Sequence, residues 1–292
     1  MQSIWENKLR YIYILLYYFQ RTIKGYLLRD KFAKAISLFI PRADIKHVAG
    51  TDSALSELKK KGFSSLGSLL DNYQIEEINS YLSNYSVYDR YDKSRKLFEL
   101  SEVPEWANTG SYSDEVLLHC PHIFSLANNP LILSIVSQYL EAKPTLSNIT
   151  LWHSFPAKDK KPKNAEFYHR DVDDFKFVKV FIYLSDVGVE SGPHVYVDGS
   201  KDSLKLLNIK RYSDEEVFNC FLRSNERVIL GGKGDAFIED TYGLHKGTPV
   251  VDGVRTVLQF EYSLLPFSKK NVKVKKTKEI QAYDSYINRL YI

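Results

Sequence analysis

His169-Arg170-Asp171 sets an imidazole and a carboxylate two residues apart near the head of a strand-like region. Along a strand, residues i and i+2 project to the same face. Such a pair can meet one metal ion from adjacent corners. A second histidine would complete a 2-His-1-carboxylate set with three coordination positions open, the pattern of non-haem Fe(II) oxygenases. H-x-D alone is a weak signal, because it arises by chance in many chains. Its context here adds His245 in a later apolar stretch and Arg255 ten residues beyond, opening the run Val254–Phe260. An arginine in an apolar strand is costly unless its charge is paired. A dicarboxylate held by the guanidinium fork would be one partner. A salt bridge to Glu239 or Glu261 would be another. Arg255, Val257 and Gln259 share a face, assigned to the interior. His194 rivals His245 but lacks a well-spaced arginine, and His153 reads as a core or pocket residue. Asp173 and Asp174 read as solvated, with the alternative that one of them orients a ligand.

The elements that must hold these residues are strands. Ile149–Phe155, Phe177–Leu184, His194–Val197, Val228–Leu230, Ala236–Glu239 and Val254–Leu264 are β-branched or aromatic runs between turn signals. The turn signals are 191–193, Asp198-Gly199, the glycine cluster 231–234 and Asp252-Gly253. The glycine cluster lacks the ending of a phosphate loop and reads as a hairpin turn. Before the strands come helices. One runs through residues 11–40 to Pro41, which cannot continue it. A linker over 42–52 follows, then a helix over Gln74–Leu82 and another over Pro121–Tyr139. Helices first and strands later predict an α+β chain. Residues 83–113 read as loop or short strands covering a site, and 201–227 as a lid.

The 292 residues are 44% hydrophobic and 26% charged, an ordinary globular composition. Two cysteines offer neither a zinc spacing nor a disulfide framework, which favours a reducing, cytoplasmic location. No apolar run reaches the roughly 20 residues of a membrane span. The net charge of +4 is uneven: residues 1–40 hold seven Lys/Arg against two Asp/Glu, and residues 268–292 hold the same. The body between is mildly acidic, which argues against a nucleic-acid partner, whose reader carries its basic stripe on the docking face. The lysines of 269–278 read as an exposed tail. In residues 1–40 an apolar face alternates with Arg21, Lys24, Arg29, Lys31 and Lys34. That pattern fits a helix packed on the body with solvated lysines. It also fits peripheral membrane contact through residues 1–40. A signal peptide fits less well, since no A-x-A-like site follows. No segment specifies an oligomeric state.

Three stretches carry a family resemblance: Phe167–Asp174, Lys179–Val187, and Ser191–Ser200 with its Gly-Pro turn. Together with His245 and Arg255 they resemble the phytanoyl-CoA dioxygenase-like (PhyH) family, over residues 50–265. The resemblance implies a double-stranded β-helix (jelly-roll, cupin-like) barrel with N-terminal helices packed outside. The dioxygenase domain would be 46–267, between an N-terminal segment 1–45 and a C-terminal tail 268–292. It also implies an Fe(II)/2-oxoglutarate-dependent dioxygenase that uses O2, hydroxylates a small-molecule substrate, and releases succinate and CO2. His169, Asp171 and His245 would bind iron. Arg255 would pair with the distal carboxylate of 2-oxoglutarate, and Tyr183 would lie beside it. Retention of Asp171 argues against the halogenase variant. Two positions depart from the family pattern. Lys201 stands where a histidine often follows the hairpin. Gly247 stands where a serine often follows the distal histidine, so Thr248 is the candidate to supply that hydroxyl. The competing class is a catalytically silent jelly-roll binding module, which would have no reason to keep an arginine inside.

Overall fold

The computed structural model describes residues 2–43, 48–156, 164–268, 270–275 and 277–292. The helices are α1 (Gln2–Thr22), α2 (Tyr26–Ser37), α3 (Thr51–Lys61), α4 (Asn72–Leu82), α5 (Asp114–His119), α6 (Ile123–Ala127), α7 (Pro130–Leu140), α8 (Asp214–Phe218) and α9 (Lys278–Gln281). The strands are β1 (Phe63–Ser68), β2 (Val87–Tyr88), β3 (Leu97–Phe98), β4 (Thr109–Ser111), β5 (Thr145–Ser154), β6 (Phe177–Tyr183), β7 (His194–Val197), β8 (Glu226–Ile229), β9 (Asp235–Glu239), β10 (His245–Gly247) and β11 (Arg255–Ser263). The chain is thus mixed helix and antiparallel sheet.

Every residue of β6 is buried, as a strand covered on both faces requires. Val178, Val180 and Ile182 enter a core shared with α3 and α7, together with Leu258 and Phe260 of β11. Phe181 and Tyr183 face the other way, into a second cluster with Trp152, Val257, Tyr196 and Ile229. That second cluster joins two sheets. The larger has the order β1-β9-β6-β11-β5-β4-β2-β3, and the smaller β10-β7-β8. A bridge between His169 and His245 adds the H-x-D segment to the β10 edge.

Local sequence explains the helix ends. Asp71 and Gln74 form a capping box on α4, and Asn129 caps α7 with Pro130 in its first turn. Gly62 ends α3 in the left-handed region (φ 88°). A Cβ there would fall 2.0 Å from the Tyr196 hydroxyl, so glycine also permits the close approach.

Several expectations change. The N-terminal helix is broken at Gly25 (φ 85°), whose N–H donates to the Tyr242 hydroxyl. The Pro121–Tyr139 helix is two helices, parted where Asn129 caps the second. Residues 123–140 form an apolar window of spanning composition, but 72% of it is buried inside the fold. The glycines 231–234 join β8 to β9 in a different sheet, so they are a crossing and not a hairpin turn. Residues 83–113, by contrast, keep to the expected loop and short strands, supplying β2, β3 and β4 to the edge of the large sheet. The C-terminal segment is not a free tail. Ile287, Asn288 and Tyr291 are buried, and the Ile287 carbonyl accepts from the Leu146 N–H. Lys270 is tucked against Asp114 and Asn148, while Lys273, Lys275 and Lys278 are exposed. Residues 44–47 of the expected linker lie outside the described residues.

Candidate functional site

Register stacks the inward side chains of the large sheet into rows. Arg255 lies opposite Ser154, and Val257 lies between Trp152 and Tyr183. Gln259 lies between Thr150 and Phe181, and Glu261 between Asn148 and Lys179. These rows form one wall of a cavity of about 430 Å³, closed opposite by His169, Asp171, His194 and His245.

His169, Asp171 and His245 each offer one ligand atom, all within 4.8 Å of one another. The His169 and His245 Nδ1 atoms lie 2.9 and 3.0 Å from the carbonyls of Phe167 and Gly243. A carbonyl only accepts, so Nδ1 carries the proton on both rings. Nε2 is thus the nitrogen each ring turns toward Asp171, and in the neutral ring it carries the lone pair a metal ligand needs. Burial, with His245 nearby, pushes His169 down to about 3 and keeps it neutral. Burial would lower His245 as well, but the Asp171 carboxylate outweighs it and lifts it.

Lys179 shares this end of the cavity. Its Nζ lies 2.8 Å from Asp171 Oδ2, 2.8 Å from Asp173 Oδ2 and 3.6 Å from Glu261 Oε2. Burial opposes its charge, but the three carboxylates hold it well above the ordinary lysine value. Burial would likewise raise Asp171, yet Lys179 and His245 hold it well below the usual carboxylate range. The sequence reading missed Lys179. Its signal was strand parity, since Lys179 lies on the Phe181 and Tyr183 face.

The opposite end differs. Arg255 Nη2 donates to Ser154 Oγ at 3.1 Å, while Nε and Nη1 are buried without a partner among the described residues. Trp152 Nε1 is also buried and unpartnered among the described residues. Arg90, from the 83–113 segment, sits 4.4 Å over the Trp152 ring. The salt bridges expected as alternatives for Arg255 do not form: Glu239 meets His194 at 2.9 Å, and Glu261 meets Ser147 and Lys179. Tyr183 lines the cavity, with its hydroxyl fixed on the Ile229 carbonyl.

Other residues fall elsewhere. The Thr248 hydroxyl and N–H both donate to the Pro193 carbonyl, so that hydroxyl is committed. Gly247 faces Arg255 instead; a Cβ there would lie 3.0 Å from Nη2. His153 bonds Thr256 and Tyr112 outside the cavity, and burial pushes it down to about 4. His194 lines the cavity but turns Nε2 to Glu239. Asp174 is fully buried, contrary to the solvated reading, accepting from the Phe175 and Leu265 N–H groups. Residues 201–227 contribute nothing to the described lining. Arg170, the middle of H-x-D, pins that segment through the carbonyls of Ser200, Lys205 and Leu206. Lys201, at the departing position, lies under α2 with its ammonium over the Tyr26 ring.

No family model and no curated protein matches the sequence. Solved structures share the fold at low identity. HygX from Streptomyces hygroscopicus, solved with nickel and 2-oxoglutarate bound, is 17% identical with a TM-score of 0.54, covering 82% of this chain and 97% of its own. A second HygX structure, with a TM-score of 0.51, also holds hygromycin B. SnoN, a non-heme alpha ketoglutarate dependent epimerase from nogalamycin biosynthesis, is 17% identical at TM-score 0.52, covering 73% of this chain and 83% of its own. AviO1 from Streptomyces viridochromogenes Tue57 is 13% identical at TM-score 0.50, covering 75% and 96%. The chain therefore shares the fold of structures that include 2-oxoglutarate-dependent enzymes.

Proposed function

We propose that this chain is an Fe(II)/2-oxoglutarate-dependent dioxygenase of PhyH type that hydroxylates a small molecule, with succinate and CO2 as coproducts. Its two facing sheets are read as a double-stranded β-helix. Residues 46–267 carry the reaction, in a cytoplasmic protein. One observation carries the reading. The same cavity holds a 2-His-1-carboxylate cluster and a buried arginine with two donor nitrogens that have no partner among the described residues. Buried donors are rarely left unpaired without a reason. A carboxylate-bearing cosubstrate supplies that reason at Arg255, and a divalent metal supplies it at the triad. The ligands bound to solved HygX are consistent with both assignments.

In this reading, His169, Asp171 and His245 would hold iron, which supplies O2 activation coupled to decarboxylation of the keto acid. The chain's own residues do the rest. The Phe167 and Gly243 carbonyls fix the ligand tautomers. Lys179 holds the second Asp171 oxygen, so that carboxylate is oriented before metal arrives. Arg255, steadied by Ser154, anchors the far carboxylate, with the Tyr183 ring beside it. Asn148, Thr150 and Gln259 line the cavity as hydrogen-bonding groups, which suits a substrate rich in hydroxyl or amine groups.

The test is an anaerobic titration of metal-free protein with Fe(II) and then 2-oxoglutarate. Visible charge-transfer absorption of the chelated keto acid is expected in the wild type and lost in His169→Ala. Folded protein that never develops the band would return the chain to the silent binding-module class.

A further inference from the structure

The N-terminal helices have two working faces. The inner face grips the segment just after the metal-ligand Asp171. Gln20 Nε2 and Arg21 Nη1 donate to the Val172 carbonyl at 2.8 and 3.2 Å. Arg29 donates to the Asp174 carbonyl, and Lys176 meets Asp30 at 2.8 Å. Tyr13 and Tyr17 pack edge-on against Phe267. So α1 and α2 are packed on the body, as one of the sequence readings held.

A packed helix usually turns a polar face to water. Here the outer face is apolar too. Residues 11–19 contain no charged side chain. Tyr11, Leu15 and Tyr18, at i, i+4 and i+7, are 68%, 70% and 66% exposed, flanked by exposed Ile12, Ile14 and Phe19. On α2 and just beyond it, Leu27 and Leu38 are exposed on the same stripe as exposed Lys31 and Lys34. Phe39 is the most open of the exposed large apolar residues, at 90%. Ten of the 24 exposed large apolar side chains among the described residues lie in this short stretch. Scattered exposed apolar residues need no explanation, but a concentration of this kind marks an interaction surface.

The charge selects the partner. Lys24, Lys31 and Lys34 of this segment are exposed, whereas Arg21 and Arg29 are engaged on the inner face, so the charge the outer face offers is that of its lysines. A symmetric dimer through this face would set two such basic segments against each other. A nucleic acid would use the lysines but leave the aromatic stripe uncovered. A bilayer surface with anionic lipid satisfies both, with tyrosine, phenylalanine and leucine at the acyl boundary and lysine at the headgroups. We propose that the outer face of α1 and α2 docks this protein on anionic membrane surfaces, while the inner face braces the segment following Asp171.

Truncating residues 1–40 is the wrong test, because it would also remove Gln20 and Arg29 from that segment. The full chain is instead co-sedimented with phosphatidylcholine vesicles with and without phosphatidylglycerol. Binding is expected to the anionic vesicles and to weaken with salt. Leu15→Ser with Tyr18→Ser should lower partitioning at least about tenfold. Lys24→Glu with Lys31→Glu should remove the preference for phosphatidylglycerol. Both double variants should keep the wild-type circular dichroism and the charge-transfer band, which separates this proposal from the dioxygenase reading. Absence of binding to either vesicle overturns the proposal, as does binding that both variants leave unchanged. A wild-type dimer that Leu15→Ser with Tyr18→Ser turns into monomer, without vesicle binding, would overturn it in favour of self-association.

Discussion

The two ends of the cavity handle buried charge in opposite ways. At the triad end, Lys179 is enclosed by Asp171, Asp173 and Glu261, and its carboxylate partners share one ammonium. At the other end, Arg255 has, among the described residues, a single hydrogen bond to Ser154 and two buried donor nitrogens without partners. A charge paired inside the protein belongs to the fold, and a buried charge left unpaired is costly until a ligand arrives. The triad end is therefore organised in the free protein, and the arginine end is organised by what binds there.

This contrast predicts a double dissociation. Lys179→Met deprives Asp171, Asp173 and Glu261 of their shared ammonium, and Glu261 and Asp171 are the more enclosed of the three. Breaking a buried pair costs about 3–5 kcal/mol, which lowers the Tm of the metal-free protein by roughly 5–8 °C. Differential scanning calorimetry measures it, and a shift within a degree or two would mean the ammonium is not structural. Arg255→Met should behave in reverse. The metal-free protein should melt at the same temperature or higher, because a poorly paired buried charge is gone. Affinity for 2-oxoglutarate should fall about 100-fold, since one partner of a buried charge pair is lost. Titration calorimetry with the metal-loaded protein reads this directly. Near-wild-type affinity in a folded Arg255→Met protein would remove the arginine from the cosubstrate site.

The same contrast explains what could be read before the fold was known. That His169, Asp171, His245 and Arg255 line one cavity was legible in part from local signals, the H-x-D spacing and an arginine in an apolar run, and in part, for His245, only from the family resemblance. Asp171 itself lies outside any strand. Lys179 obeys strand parity, but the apolar run around it gives no local sign of the three carboxylates that the fold gathers at its ammonium. What could not be read depends on contacts distant in sequence. The role of Arg170 requires the 200–206 carbonyls to come to it. The burial of Asp174 requires α2 and the end of β11 to close over it. The glycines 231–234 read as a hairpin because turn chemistry is local, whereas the sheet each flanking strand joins is a tertiary choice. Thr248 was chosen for its hydroxyl, and only the fold shows that hydroxyl donating to Pro193.

The finest difference between the two ends is carried by one missing side chain. Gly247 has no positive φ to defend, so its backbone would accept serine. Its Cβ, however, would lie 3.0 Å from Arg255 Nη2 and 3.2 Å from Nη1, tighter than ordinary contact. The guanidinium would move by a few tenths of an ångström, away from the position set by Ser154. Gly247→Ser should therefore weaken 2-oxoglutarate binding only roughly threefold, a fraction of the loss in Arg255→Met. The triad end should not respond, so Fe(II) affinity should stay as in the wild type. If the variant instead binds 2-oxoglutarate more tightly, the arginine has room to yield and the new hydroxyl has joined it. The arginine end would then be adaptable where the lysine end is rigid, and Ser154 would not be what positions the fork.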